Sequence, residues 1–213
     1  MHYASVCTDI MAGERWKSRE QGPMIRSLKR LFQPSAQDVA ARQLYIATVN
    51  QARSVAFYEQ WSVPDTVTGR FDMISLHAYI IMRRLMNGPS AKAFSEAYCG
   101  MIFTDMDRSL REMGVGDLSV GKKVKKLAEG FYGRAAAYET ALNGGQDSLS
   151  DVLQRNIYGG ENPGASVLSA MSVYVQESFV TLAGQNLSDI IEGVVQFQPP
   201  PGAEPSEQNG VGA

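Results

Sequence analysis

Hydrophobic side chains recur every three to four positions through most of this chain, from about residue 35 to residue 195. This spacing places them along one side of an α-helix, and the strict alternation typical of a half-buried β-strand is not found. Helices are therefore predicted at about 35–61, 71–86, 90–113, 120–142, 148–158, 164–183 and 187–195. Because no repeat of fixed period accompanies them, the pattern predicts an all-α fold: an irregular multi-helix bundle with disordered termini.

Serine, proline and glycine mark the boundaries between these helices. Ser35 and Ser90 are suitable N-caps, because a serine side chain accepts a hydrogen bond from the first helical turn. Pro64 disfavours helix at the residue before it. Glycines follow the predicted helices at 114 and 116 and again at 144–145, where helices commonly end.

The composition changes toward both ends, which predicts three regions. Residues 1–33 lack a regular apolar period except for a short basic amphipathic stretch at 24–32, so they are predicted to be flexible. Residues 34–197 form the predicted helical domain. Residues 198–213 are rich in proline and polar side chains and are predicted to be a disordered tail.

Charge is unevenly distributed, although the total is nearly balanced. The 213 residues include 20 Lys and Arg against 22 Asp and Glu, and 44% are hydrophobic, as in ordinary globular proteins. No Lys or Arg follows Arg155, whereas six acidic side chains do. A basic N-terminal part and an acidic C-terminal part can orient a molecule on an anionic surface. The nearly balanced total charge does not by itself indicate a nucleic-acid-binding protein.

Features of secretion and membrane insertion are not found in the sequence. Cys7 and Cys99 do not make a disulfide framework, and the N-terminus has no apolar run of signal-peptide length. The most apolar long stretch, 167–182, is interrupted by Gln176 and Glu177, which a lipid-embedded helix would not readily accept. We therefore expect a cytoplasmic protein.

One motif suggests a nucleotide site, but its context does not fit. Residues 116–123 match the G-x4-G-K portion of a phosphate-binding loop. Lys123 stands where the loop needs Ser or Thr for magnesium, and a predicted helix, not a strand, precedes the glycines. A corner between two helices is the better interpretation.

Candidate catalytic and metal-binding side chains are few. Asp105 and Asp107 lie on different sides of a helix, so they do not form a cation site, whereas Asp107 can pair with Arg111 four residues later. Asp105 is instead predicted to fix a packing partner, and His77 to be a hydrogen-bonded core residue. No catalytic residue, metal or cofactor is predicted, and an enzyme using one of these side chains is the less favoured alternative.

Methionines and lysines give two indications of binding. Met73, Met82 and Met101 belong to two consecutive apolar helices, and flexible thioether side chains suit a groove that accepts an apolar helix of a partner. Four lysines on the next helix can attract lipid head groups or phosphates. They are Lys122, Lys123, Lys125 and Lys126.

Three stretches together resemble the ubiquinol-cytochrome c chaperone family, over about residues 36–183. They are Pro64-Asp-Thr-Val-Thr-Gly-Arg-Phe-Asp-Met-Ile-Ser-Leu-His77, Asp105-Met-Asp-Arg-Ser-Leu-Arg-Glu-Met-Gly-Val-Gly-Asp117, and Val120-Gly-Lys-Lys-Val-Lys-Lys-Leu-Ala-Glu-Gly-Phe-Tyr-Gly-Arg134. The individual residues that match the family pattern are Phe71, Asp72, His77, Asp105, Arg111, Asp117, Phe131, Tyr132 and Arg134.

The resemblance implies a non-catalytic assembly chaperone that binds newly made cytochrome b during biogenesis of ubiquinol-cytochrome c reductase, respiratory complex III. It implies no cofactor. Further partners that it implies, from mitochondrial relatives, are the ribosome and a small partner subunit; an anionic membrane surface is expected from the lysines. Without a clear transit peptide, the chain is more similar to a bacterial member that works in the cytoplasm, peripherally at the inner membrane.

The resemblance and the residue patterns together give the expected sites. The expected partner-binding residues are Phe71, Met73, His77, Met82, Met101, Asp105, Arg111, Asp117, Phe131, Tyr132 and Arg134. The expected anionic-surface contacts are Lys122, Lys123, Lys125 and Lys126. The alternative is a regulatory module that binds nucleic acid or lipid through the basic helix at 120–142.

Overall fold

The computed structural model describes residues 35–86, 88, 91–199 and 202, which form helices joined by turns, without a strand. In chain order the helices are α1 (Ala36–Ala52), α2 (Val55–Glu59), α3 (Val67–Met86), α4 (Lys92–Glu112), α5 (Asp117–Leu142), α6 (Leu149–Ile157), α7 (Ala165–Ala183) and α8 (Leu187–Ile191). This architecture confirms the predicted all-α class. The predictions for residues 1–33, for the cap at position 90 and for most of the tail lie outside the described residues.

The first predicted helix is divided into two. Ser35 caps α1 as expected, because its hydroxyl accepts a hydrogen bond from the Asp38 N–H and the Asp38 carboxylate accepts one from the Ser35 N–H. The prediction that this helix continues to about residue 61 is wrong, since α1 ends at Ala52. The Tyr58 hydroxyl donates to the Ala52 carbonyl at 2.9 Å and thus satisfies the freed acceptor. The change of chain direction after Ala52 places the Phe57 side chain in the core.

Helix α3 is the central element of the bundle, because α1, α4, α5, α6 and α7 all contact it. It begins at Val67, four residues before the predicted start. The reason is a cap that the pattern did not reveal: the Thr66 hydroxyl accepts a hydrogen bond from the Gly69 N–H at 3.0 Å. All positions from Ser75 to Met82 are buried, so α3 carries most of its side chains into the core.

The last helix is shorter than predicted. Helix α8 ends at Ile191 rather than near residue 195, because Gly193 adopts a positive φ of 89° and the Val194 N–H donates back to the Asp189 carbonyl at 2.8 Å. The chain after it lies against the core, where the ring of Phe197 is 6.0 Å from the ring of His77.

Helices α4 and α5 form an antiparallel hairpin with a tight turn. Gly114 has a φ of 82°, the Val115 N–H donates to the Leu110 carbonyl at 3.0 Å, and the Gly114 N–H donates to the Arg111 carbonyl at 2.9 Å. Val115 and Leu110 pack with Val120 and Val124 in a cluster separate from the main core. The end of the hairpin, residues 113–118, is called the hairpin tip below, and this cluster gives it its own small core.

No helix among the described residues combines the length and the apolar character needed to cross a membrane.

Candidate binding groove

A groove of about 680 Å³ lies where the beginning of α3, the second half of α4 and the first half of α5 meet. Its walls also include side chains from α1 and from the residue that follows it. The lining residues are Tyr45, Arg53, Val67, Thr68, Arg70, Phe71, Ile74, Ile102, Asp105, Met106, Ser109, Leu110, Met113, Lys123, Lys126, Leu127, Gly130 and Arg134.

The floor of the groove is apolar. Helix α4 contributes Ile102, Met106 and Leu110 at successive turns, so the stripe that packs α4 in the core continues into the groove. At the mouth, Val67 and Met113 are 69% and 55% exposed. Exposed apolar side chains beside a concave apolar floor are typical of a surface that binds a partner.

The rim of the groove is basic. Lys123 and Lys126 lie on the α5 side, and neither has a carboxylate within 4.0 Å among the described residues. Arg53 and Arg70 lie on the opposite side, and Arg70 pairs with Asp65 at 2.6 Å. The unpaired lysines leave a positive potential at the edge of an apolar surface.

A buried ion pair ties α3 to α5 beneath the groove. The Arg134 guanidinium lies 2.7 Å from the carboxylate of Asp72 and 5.9 Å from the centre of the Phe71 ring. Burial raises the pKa of Asp72 to about 6, although the charge of Arg134 acts in the opposite direction. Asp72 is therefore a positioning residue, which holds Arg134 and the start of α3 against α5.

Asp105 fixes the opposite wall. The Tyr45 hydroxyl donates to the Asp105 carboxylate at 2.7 Å, and Arg108 pairs with the same carboxylate. Burial raises the pKa of Tyr45, and the hydrogen bond to Asp105 raises it further. Asp105 thus joins α4 to α1, in agreement with its predicted role of fixing a packing partner.

Arg111 joins the two helices of the hairpin. It pairs with Asp107 at 2.6 Å, which confirms the predicted contact over four residues, and with Asp117 at the start of α5. These charges therefore shape the hairpin, and they lie beside the hairpin tip. In the described part of the chain, no three His, Cys, Asp or Glu side chains are grouped to hold a metal ion.

All four lysines at the start of α5 are exposed, and their spacing places them on adjoining faces of the helix. Lys123 and Lys126 line the groove. Lys122 and Lys125 are exposed and share the outer face with Leu118, because residues four and seven positions apart lie on one side of a helix. Residues 116–123 form the start of α5, so the sequence that resembles a phosphate loop is a helix N-terminus.

Four of the expected partner-binding residues lie in the core. Met73 and His77 have no exposed surface, and Met82 and Phe131 are 2% and 1% exposed. Met73, His77 and Met82 are buried because five helices contact α3, and Phe131 is buried because it lies on the side of α5 that packs on the core. In this fold they are structural residues that present no surface to a partner. Met101 and Tyr132 are half-buried and pack against the same core.

His77 is hydrogen-bonded at both ring nitrogens. Nδ1 donates to the Met73 carbonyl at 2.8 Å, and Nε2 accepts from the Tyr174 hydroxyl at 2.7 Å. Burial lowers the pKa of His77 to about 4, although the hydrogen bond to Met73 acts to raise it. The ring is neutral at physiological pH and serves as the core histidine that the sequence predicts.

Several groove residues were not identified as site residues from the sequence. Those on the apolar stripes were predicted to pack between helices, Val67 was predicted to lie in a break between helices, and the arginines carried no such signal. A sequence pattern does not show where a neighbouring helix ends. They are Tyr45, Arg53, Val67, Arg70, Ile74, Ile102, Met106, Leu110, Met113 and Leu127.

Comparison with known proteins gives a consistent set of relatives. A family model described as ubiquinol-cytochrome C chaperone matches residues 59–197. The chain is 24% identical over 165 residues to the ubiquinol-cytochrome-c reductase complex assembly factor 1 of Xenopus laevis, covering 76% of this chain and 82% of the relative. It is 22% identical to the corresponding factor of Mus musculus over 163 residues. This alignment covers 76% of this chain and 55% of that relative.

A solved structure has the same fold. The crystal structure of the Cbp3 homolog from Brucella abortus superimposes with a TM-score of 0.70 and 32% sequence identity. The match covers 85% of this chain and 100% of that chain.

Proposed function

Because this chain belongs to the ubiquinol-cytochrome C chaperone family, we propose that it is a non-catalytic chaperone that binds newly made cytochrome b during assembly of complex III. The relatives named as assembly factors of ubiquinol-cytochrome-c reductase support this role. The groove between α3, α4 and α5 is the proposed site of client binding.

The observation that carries the proposal is the apolar floor of the groove with its exposed mouth. A membrane protein that has not yet met its partners exposes apolar helices, and shielding them from water is favourable. An apolar helix laid in a groove is held by side chains at every third or fourth position. Met106 and Leu110 keep a narrow exposed edge of 6% and 8% on the floor, Ile102 supports them from beneath, and the exposed Val67 and Met113 supply the larger apolar contact.

The basic rim supports a client segment with acidic groups beside its apolar part. Lys123 and Lys126 face the groove without a described carboxylate partner. Complementary charge accelerates encounter and fixes the orientation of the bound segment more than it adds affinity. Arg134 at the floor is paired with Asp72, so the positive potential comes chiefly from the two lysines.

The proposed location is the cytoplasmic face of the inner membrane of a bacterial cell, with peripheral attachment. Cytochrome b is made and inserted there, so the chaperone meets its client as the client emerges. The ribosome and a small partner subunit remain further proposed partners, by analogy with the family. A non-catalytic role is supported by His77, whose buried and doubly hydrogen-bonded ring has no access to a substrate.

Charge placed at the groove mouth tests this proposal. Val67→Glu combined with Met113→Glu is expected to lower recovery of cytochrome b with the tagged chaperone by about tenfold or more, because an unpaired carboxylate is costly inside an apolar contact. Both positions are exposed, so the fold is retained. The control is Val180→Glu, at a position 73% exposed on α7 and outside the groove lining. Equal recovery with both variants would rule out the groove as the client site.

A further inference from the structure

A second groove, of about 560 Å³, lies where the first half of α1 meets the start of α4 and the end of α8. We call it the α1 groove. Ala40 and Phe94 are buried beneath it, and Val39 stands at its edge with 46% of its surface exposed. Ile46 is 48% exposed and lies on the same side of α1 as Val39, because positions seven apart nearly coincide around a helix. The described residues therefore leave an apolar strip of α1 uncovered.

The chain immediately before Ser35 lies outside the described residues, and it contains the basic amphipathic stretch at 24–32. We propose that this stretch binds as a helix in the α1 groove of the same chain. Its apolar side chains share one side of a helix, and its basic side chains share the other. The apolar ones are Ile25, Leu28, Leu31 and Phe32, and the basic ones are Arg26, Lys29 and Arg30.

The short connection between the stretch and α1 favours it as the occupant. Only residues 33–35 separate them, and two antiparallel helices are commonly joined by two to five residues. Pro34 disfavours helix at the residue before it, so the turn is expected here. Nine helical residues are about 14 Å long, and the eight residues of α1 from Ala36 to Gln43, which border the groove, are about 12 Å long. The stretch therefore matches the groove in length.

The position of Val39 in α1 supports the same direction of chain entry. Val39 is the fourth residue of the helix after its cap, Ser35. An apolar side chain at this position commonly packs against one that precedes the cap, and this contact fixes the angle at which the chain enters the helix. The exposed surface of Val39 is therefore placed to receive an apolar side chain from the preceding stretch.

Charge does not select the occupant, because both signs occur around the α1 groove. The charged side chains at or near its lining positions are Asp38, Arg42, Lys92, Glu96, Asp189 and Glu192. The choice rests on the apolar match and on the connection. A short tether holds the stretch at an effective concentration in the millimolar range, which exceeds that of a second copy of the chain in dilute solution.

The α1 groove is separate from the groove between α3, α4 and α5. The two share no lining residue. The proposal therefore does not depend on what the other groove binds. A bound stretch adds a helix to the bundle and covers the apolar strip of α1, so residues 24–32 belong to the folded domain and not to a flexible segment.

Hydrogen–deuterium exchange of the purified full chain tests the proposal. The amides of residues 24–32 are expected to exchange about tenfold or more slowly than those of a peptide of the same sequence, because a docked helix protects them. Val39→Ser with Ile46→Ser is expected to bring their exchange close to the peptide rate, since the loss of two apolar contacts weakens docking by about that factor. Both positions are half exposed, so α1 itself tolerates the change.

Matched variants separate this site from a general loss of apolar surface. Val173→Ser with Val180→Ser also removes two exposed valines seven positions apart, on α7, and is expected to leave exchange of residues 24–32 unchanged. Within the stretch, Leu28→Gln is expected to raise exchange about tenfold and Lys29→Gln to have little effect, because only Leu28 lies on the apolar side. Wild-type exchange at the peptide rate, or equal effects within either pair, would overturn the proposal.

Three further arms identify other occupants, and each of their positive results would overturn the proposal. Protection that rises with protein concentration would assign the α1 groove to a second copy of the chain. Protection that appears only with vesicles of phosphatidylcholine and phosphatidylglycerol would assign the stretch to a membrane surface. Release of the stretch by Val67→Ser with Met113→Ser would place it in the groove between α3, α4 and α5. The assay contains no cytochrome b, so its failure and a failure of client binding are distinguishable.

Discussion

Two buried ionisable side chains respond to acid in opposite directions. Asp72 has a pKa of about 6 against an ordinary value of 3.8, so between these pH values the folded protein holds a proton that the unfolded chain releases. Its contribution to stability therefore falls as pH rises from about 4 to 6. His77 has a pKa of about 4 against an ordinary 6.5, so the unfolded chain binds the extra proton, and stability rises with pH over this range.

Single substitutions should uncover these two contributions. One pKa unit corresponds to about 1.4 kcal/mol, so the shift of His77 amounts to about 3 kcal/mol. For Asp72 we reduce the value to about 2 kcal/mol, because water reaches its partner Arg134 and screens the charges. Relative to the wild type, Asp72→Asn should gain about 2 kcal/mol in free energy of unfolding between pH 4 and pH 6.5. His77→Gln should lose about 3 kcal/mol over the same interval.

Urea denaturation at several pH values measures both slopes. The slope is the useful readout, because a loss of packing lowers the free energy of unfolding equally at every pH and leaves the slope unchanged. Profiles of the two variants that run parallel to the wild type would show that neither group titrates as the structure indicates.

At the scale of single elements, the hairpin turn depends on one backbone conformation. Gly114 has a φ of 82°, and a Cβ built there would meet no other atom within 4 Å. The helix end is stabilised by the hydrogen bonds from the Gly114 and Val115 N–H groups. Glycine is therefore needed at this position for its backbone conformation, and a Cβ would cause no steric clash there.

A pair of Gly→Ala substitutions isolates that effect. Gly114→Ala should lower the free energy of unfolding by about 1 to 2 kcal/mol, the cost of a left-handed conformation for a residue with a Cβ. Gly133→Ala, in the middle of α5 and also with open space around its Cβ position, should raise it by about 1 kcal/mol. Thermal or urea unfolding of both variants gives the comparison, and a shift of equal sign in the two would contradict the explanation.

The sequence predicted the helices better than it predicted the site. Stripes of apolar residues located helices α3 to α7 to within a few residues, because the 3.6-residue period is a local property. The break after Ala52 was missed, since it depends on Tyr58 reaching back to a carbonyl in the folded chain. Ile102, Met106 and Leu110 were predicted as apolar positions, but that they form the floor of a groove depends on where α3 and α5 end. The sequence did not show that Met73 and Met82 are buried, because this too depends on how the helices pack around α3.

At the scale of the whole molecule, the groove and the hairpin tip lie at the same end. Met113 belongs to both, because it lines the groove and is part of the tip. Lys123 and Lys126 of α5 line the groove near this end, and Lys122 and Lys125 lie on the adjoining face of the same helix.

The central claim is that cytochrome b occupies the groove, and site-specific photo-crosslinking in the native cells tests it most directly. A photoreactive amino acid is placed at Val67, at Met113 or, as a control, at Val180; all three positions are exposed, so the fold tolerates the new side chain. The account predicts crosslinks to newly made cytochrome b from Val67 and Met113 and none from Val180. Crosslinks from Val180 alone, or a different protein crosslinked at both groove positions, would contradict it.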